Sequence, residues 1–162
     1  MAKPRLPPVG FANAETLATK HHWHWFDADD FHSPASKAKM ERDEPLTDAD
    51  RLPWLQILHI EIQQWLQADR PTSLACSALK RSYRDLLSSG NPAVKFIYLK
   101  GSYELISQRL IDRQGHFAKV ELLKSQFDTL EEPTTDEAIE IDIDRDRDEI
   151  VRSIDTALLI NS

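Results

Sequence analysis

The chain has 162 residues, 41% of them hydrophobic and 29% charged, with a formal net charge of −7. That length suits one domain, residues 1–162, around one buried core. The acidic balance argues against general nucleic-acid binding, which needs a basic surface, and no apolar run approaches the ~20 residues of a membrane span.

Lys3 and Arg5 are followed by no apolar stretch of the kind a secretory signal requires. Cys76 is the single cysteine, so an internal disulfide is impossible. Both features lead to the expectation of a cytoplasmic protein.

In chain order, residues 1–13 contain Pro4, Pro7 and Pro8 and read as an irregular start, because proline supplies no N–H. Ala14–Lys20 reads as a short helix. Trp23-His24-Trp25-Phe26 reads as a strand that runs into the acidic cluster Asp27-Ala28-Asp29-Asp30. Ser33–Glu44 is polar and is predicted as a loop with a helical turn around Lys37–Met40. A long helix follows: Thr47 or Asp48 caps it, Asp50 adds charge near its start, and Pro53 falls early enough to be tolerated. Leu55, Leu58, Ile62, Trp65 and Leu66 recur at helical spacing, and Pro71 stops the helix.

Ser73–Cys76 reads as a buried strand, and Ser77–Leu87 as a turn that becomes a helix. Gly90-Asn91-Pro92 is a break, and Val94–Leu99 is the best strand signal in the chain. Tyr103–Asp112 is predicted helical, residues 113–117 interrupt it, and Val120–Leu130 is helical again. Ile139, Ile141 and Ile143 alternate with acids as in a strand with one wetter face. Asp148–Leu159 closes the chain as an amphipathic helix. Strands alternating with helices indicate an α/β fold, a parallel sheet flanked by helices.

The four glycines are Gly10, Gly90, Gly101 and Gly115, and none is followed by Lys-Ser or Lys-Thr. A Walker A loop, G-x-x-x-x-G-K-[ST], is therefore absent from these residues, and with it the backbone cradle, the lysine and the hydroxyl that hold nucleotide phosphates and Mg²⁺. His21, His22, His24 and His32 have no matching cysteine or downstream ligand pair, so their spacing is nonspecific for a metal and reads as a surface cluster.

An ordered set of motifs runs from Phe26 onward. It comprises Asp29-Asp30-Phe31-His32, Ala38-Lys39-Met40, Pro45-Leu46-Thr47-Asp48-Ala49-Asp50-Arg51 and Pro53-Trp54-Leu55. Cys76-Ser77-Ala78-Leu79-Lys80, Tyr83-Arg84-Asp85-Leu86-Leu87 and Phe96-Ile97-Tyr98-Leu99 follow. Arg109-Leu110, Arg113-Gln114-Gly115-His116-Phe117, Ser125-Gln126-Phe127 and Asp142-Ile143-Asp144 complete it. In order and spacing this set resembles the gluconate kinase family of small P-loop kinases, over roughly the last five-sixths of the chain. The resemblance implies a P-loop-kinase-like sheet, ATP and Mg²⁺ as cofactors, gluconate as substrate, phosphorylation to 6-phosphogluconate, and a homodimer, since the family often dimerises. Residues 1–22 diverge from it. The family's Walker lysine would fall near Gly10 and its hydroxyl near Phe11, and the strand before them would be the central one of the sheet. Ser36 and Asp43 stand where the family usually has Asn and Gly.

Several residues gain candidate roles. Asp29 follows a strand's carboxyl end, where open α/β sheets bind ligands. It can accept hydrogen bonds from substrate hydroxyls and take the proton of the attacking one; the alternative is a solvated acidic turn. The resemblance assigns His32 to the sugar-acid pocket and gives Asp27 a position that assists Mg²⁺ in shikimate kinase relatives. Lys39, Lys80 and Arg84 can meet a carboxylate and hydroxyls, since an anionic substrate needs local positive charge here; the alternative is ordinary surface charge. Ser77 can touch Mg²⁺ or substrate, or cap a helix. Arg109 and Arg113 are four apart on one helical face. At the edge of a lid spanning about 113–130, with Gly115 as a hinge, they suit a transferring phosphoryl group. The alternative is a basic patch paired with Asp112.

Two functions follow from the residues. One is a gluconokinase. The other is a kinase-derived protein that keeps the gluconate pocket as a sensor or binding partner without turnover.

Overall fold

In a computed structural model the structure describes residues 9–114 and 118–160. The chain runs α1 (Val9–His21), β1 (His24–Asp27), a single 3-10 turn (Ala28–Phe31), α2 (Pro34–Glu41), α3 (Asp48–Gln67), β2 (Thr72–Ala75) and α4 (Arg81–Ser88). It continues as β3 (Ile97–Lys100), α5 (Tyr103–Gln114), α6 (Ala118–Thr129), β4 (Ile139–Asp142) and α7 (Arg147–Ile160).

The strands form two parallel pairs. In β1–β2, His24 sits opposite Thr72 and Asp27 opposite Ala75. In β3–β4, Ile97 sits opposite Ile139 and Lys100 opposite Asp142. Each pair is joined by helical crossovers, the connection parallel strands require. Among the described residues no strand hydrogen-bonds β2 to β3. Every residue of β2 and β3 is only half-buried. Strands of a finished parallel sheet are covered on both faces.

Two clusters hold the fold. One packs Trp54, Leu55, Leu58, Ile62 and Trp65 of α3 against Ala28, Tyr83 and Leu87, with Phe26 and Leu74 of the first strand pair beside them. The other joins Leu17 of α1 to Ile141, Ile143, Ile150, Val151 and Ile154. Helix α1 packs on β1, β2 and α7, and Lys20 and His21 both reach Asp155 on α7. At Gly101, which follows β3, a Cβ would stand 2.8 Å from the Ile143 side chain, so only glycine lets α5 begin there without displacing that core residue.

Helix α3 follows its sequence signals closely. Thr47 caps it in a full capping box: the Asp50 N–H donates to Thr47 Oγ1 at 3.2 Å, and the Thr47 N–H donates to Asp50 Oδ2 at 2.9 Å. The helix passes through Pro53 unbroken.

Four local expectations are corrected. Residues 9–13 are helical, so α1 begins before the predicted Ala14. The stretch predicted as a loop with a helical turn around Lys37–Met40 holds the longer helix α2, because Ser33 Oγ accepts the Ser36 N–H at 3.1 Å and Pro34 occupies the first turn, where it costs no hydrogen bond. The third strand is Ile97–Lys100, starting three residues later and ending one later than Val94–Leu99. Helix α4 is capped by the backbone of Lys80 without a side-chain bond, so Ser77 is not its N-cap.

Among the described residues no helix is long and apolar enough to cross a membrane, and no group of three or more His, Cys, Asp or Glu forms a metal-binding cluster.

Candidate functional site

The carboxyl end of β1 runs directly into the 3-10 turn that carries Asp29. Asp27 ends the strand and caps that turn, accepting the Asp29 N–H at 2.9 Å. Asp27 therefore acts first as a local backbone anchor. The turn is fixed from the other side by α3: Trp54 Nε1 donates to the Ala28 carbonyl at 2.7 Å. Trp54 is 1% exposed, so this bond is shielded from water.

His32 leaves the same turn and lies flat on Trp54, with ring centroids 4.3 Å apart and planes 14° apart. Its Nε2 is 3.9 Å from Asp29 Oδ1, while the His32 side chain is 1% exposed and that of Asp29 39%. Nδ1 of His32 is buried with no hydrogen-bond partner. Burial pushes the His32 pKa down to about 4, and the charges of Arg51 and then Lys37 push the same way, so the imidazole is neutral at pH 7. A neutral imidazole beside a carboxylate offers one donor and one acceptor in a fixed orientation.

Cys76, just past β2, faces the same corner. Burial drives its thiol up to about 12, with the charges of Asp29 and Asp27 adding and Arg51 opposing. The thiol is therefore neutral and is no nucleophile.

The predicted cations surround this corner but are engaged. Lys39 of α2 pairs with Asp50 at 2.9 Å, and this contact, ahead of the Thr47 bonds, lowers the Asp50 carboxyl to about 2. Lys80 pairs with Asp48 at 2.8 Å, and the Tyr83 hydroxyl also donates to Asp48. Each ammonium is thus shared with a carboxylate of the first turn of α3. Arg84 is 5% exposed. It donates to the Ala78 and Leu79 carbonyls at 3.1 and 3.2 Å and to Glu137 at 3.4 Å, which makes it a strut between the loop after β2 and the segment before β4. Ser77 lies at the head of that same loop, its carbonyl accepting the Leu79 N–H at 2.9 Å.

Arg109 stands elsewhere, on α5, where Nη2 donates to the Arg145 carbonyl at 3.4 Å. Asp112 is bonded by Gln108 at 2.7 Å. The Arg113 side chain and residues 115–117 lie outside the described residues, so the arginine pair and the Gly115 hinge cannot be placed together. The cluster the structure does assemble is Asp27, Asp29, His32, Cys76 and Trp54.

Sequence reasoning missed Arg51. It is 8% exposed, one turn before Trp54 on the core face of α3. The signal was available: positions 51, 54, 55, 58 and 62 share one helical face. Two surface depressions lie apart from this corner. One, of about 340 Å³, sits between Asp48, Leu52 and Tyr83, and the other, of about 470 Å³, lies along Arg145, Arg152 and Thr156 of α7 and the loop before it.

No protein-family model matches the chain. It is 42% identical over 144 residues to the thermoresistant gluconokinase of Escherichia coli (strain K12), covering 88% of this chain and 82% of that one. The chain belongs to the gluconokinase family. Two solved structures share its fold. A gluconokinase from Sinorhizobium meliloti 1021 superposes with a TM-score of 0.80 at 33% identity, covering 94% of this chain and 90% of that one. An unliganded sugar kinase from Janibacter sp. HTCC2649 superposes with a TM-score of 0.84 at 39% identity, covering 94% and 91%. The P-loop-kinase-like parallel fold expected from the motifs is thus the fold of the family. In this chain the first turn of α1, Gly10-Phe11-Ala12, carries neither ammonium nor hydroxyl.

Proposed function

We propose that this chain acts on D-gluconate in the ATP-dependent reaction that gives 6-phosphogluconate, with the sugar acid held at the carboxyl ends of β1 and β2. The observation that carries the reading is the meeting of Asp29 and neutral His32 on the Trp54 ring. Asp29 accepts hydrogen bonds from the polyol and takes the proton of the attacking hydroxyl. His32 orients a neighbouring hydroxyl through its ring nitrogens. Lys39 and Lys80 form a polar rim, and Arg84 holds the loop of Ser77 and Lys80 in place. On the nucleotide side, the proposal assigns Ser77, Arg109 and Arg113 to ATP and Asp27 to Mg²⁺. A cytoplasmic setting and a homodimer belong to the same proposal.

ATP with Mg²⁺ supplies the phosphoryl group in this reaction. The residues at the start of α1 do not fit its phosphates by the P-loop route, because Gly10, Phe11 and Ala12 offer no side-chain cation and no hydroxyl. Asp27 already holds the Asp29 N–H. The chemistry proposed for Asp29 and His32 is confined to the sugar acid: binding it, orienting it and accepting its proton. This mismatch favours a second reading, a gluconate-binding protein without turnover.

A coupled assay of ADP release on the full chain separates the two. Losing one transition-state donor costs about 10²–10³ in rate, so a chain lacking the loop's lysine and hydroxyl is expected to run at least that far below an ordinary gluconokinase. Turnover at an ordinary kinase rate would discard the second reading. Background turnover together with gluconate binding would support it.

A further inference from the structure

The loop after β2, residues 76–80, carries Ser77 and Lys80 but belongs to no helix or strand. Contacts from outside it must therefore set its shape. The helix it enters, α4, starts without a cap of its own, because Lys80 occupies the cap position and makes no side-chain bond there. The acceptor comes instead from a residue 50 positions further along the chain. Glu131 Oε2 accepts the Arg81 N–H at 2.7 Å, and the Glu131 N–H donates to the Leu79 carbonyl at 2.9 Å. One residue thus grips the main chain on both sides of Lys80. Its carboxylate stands at the positive end of α4, where an unsatisfied N–H and the helix dipole both favour an anion.

The same segment grips the loop a second time through side chains. Glu137 Oε1 faces Arg84 at 3.4 Å and Arg81 at 3.5 Å, while its Oε2 accepts the Thr134 N–H at 2.9 Å. Arg84 passes the hold on to the Ala78 and Leu79 carbonyls. Glu132 ties the segment to the other strand pair, reaching Lys100 at the end of β3 at 3.3 Å. Residues 130–138, which join α6 to β4, are therefore a strap anchored on β3 and closed over the loop of Ser77 and Lys80. None of these three acids belongs to the ordered motifs of the sequence.

We propose that Glu131 is a positioning residue: by capping α4 from a distant segment it holds Ser77 and Lys80 in the arrangement that receives the sugar acid. This rests on the gluconate reading above and adds a residue that acts on the substrate only through the loop. Without the cap the loop spreads over other conformations, and apparent affinity falls with the competent fraction. The loss of one helix cap corresponds to about a fivefold change in an equilibrium constant.

The test is calorimetric titration of D-gluconate into the full chain, with a melting temperature for each protein: native, E131A, E131Q, E131D and D146A. Asp146 accepts the Glu149 N–H at 2.8 Å at the start of α7, a helix of the other core cluster. D146A therefore removes a cap of the same kind away from the loop and controls for lost stability. E131A is expected to bind gluconate about fivefold more weakly. E131Q keeps a side-chain carbonyl for the Arg81 N–H and is expected to stay within about twofold of native, as is D146A despite its lower melting temperature. E131D, one methylene short, is expected between E131A and E131Q, and takes the place of E131A if that variant fails to fold. Native affinity in E131A, or in E131D where it stands in, overturns the assignment and leaves the gluconate reading intact. So does an equal loss in D146A, which would make the effect one of general stability, or an E131Q as weak as E131A. A native chain that binds no gluconate overturns the underlying functional reading, and the Glu131 role with it.

Discussion

Acidification tests the site corner directly, because His32 is a histidine the fold keeps neutral. Its carboxylate neighbour Asp29, 3.9 Å away, favours the charged ring, but burial and the charges of Arg51 and Lys37 outweigh it and bring the pKa from 6.5 to about 4. In the unfolded chain the same ring protonates at its ordinary value. Between those two pH values the unfolded state binds the extra proton, so His32's contribution to stability is complete above pH 6.5 and is lost as pH falls toward 4. At about 1.4 kcal/mol per pH unit the whole window is worth roughly 3 kcal/mol, and a step from pH 7.5 to 5.0 about 2 kcal/mol. The lowered carboxylates, Asp50 at about 2 among them, titrate below this range. Urea unfolding of the native chain and of His32→Gln at the two pH values isolates the effect. The native chain is expected to lose about 2 kcal/mol more than the variant. Equal losses in both would refute the reasoning, since the ring would then titrate alike in the folded and unfolded chains.

Three further outcomes follow from the same geometry. Trp54→Ala removes a 1%-exposed ring, its bond to the Ala28 carbonyl and the surface on which His32 lies; chemical denaturation should show a loss of about 3–5 kcal/mol. Thr47→Ala breaks the capping box of α3 and frees Asp50 from one of its anchors; the expected loss is about 1 kcal/mol by thermal or urea melting. Asp29→Asn keeps the shape of the turn but removes the charge; gluconate affinity by calorimetry should fall on the order of tenfold or more, and an unchanged affinity would place Asp29 outside the pocket.

Much of this fold was legible because its signals are local. The capping residues and apolar spacing of α3 announced a helix whose observed start and end match closely, and the alternation of Ile139, Ile141 and Ile143 marked β4. Helix α2 was legible only as a turn around Lys37–Met40, because its stabilisation lies in Ser33 and Pro34 at its start rather than in an apolar face. The site was legible in part. The motif order led to Asp29 and His32, which the fold brings together. Sequence could not show that Asp48 and Asp50 occupy Lys80 and Lys39, because those pairs join residues 32 and 11 positions apart. Nor could it show that Arg84 commits its donors to the Ala78 and Leu79 carbonyls. Arg51 was overlooked because charge suggests a surface, although its helical phase places it with the core.

The central claim is that the acceptor corner binds gluconate whatever the state of the phosphate-binding loop. The most direct test is a thermal shift of the full 162-residue chain titrated with D-gluconate in the absence of nucleotide. A ligand that binds only the folded state adds RT ln(1 + [L]/Kd), or about 2.7 kcal/mol at a hundredfold excess over Kd. The account predicts a saturable rise in melting temperature with gluconate alone. A melting temperature that stays flat through millimolar gluconate would contradict it.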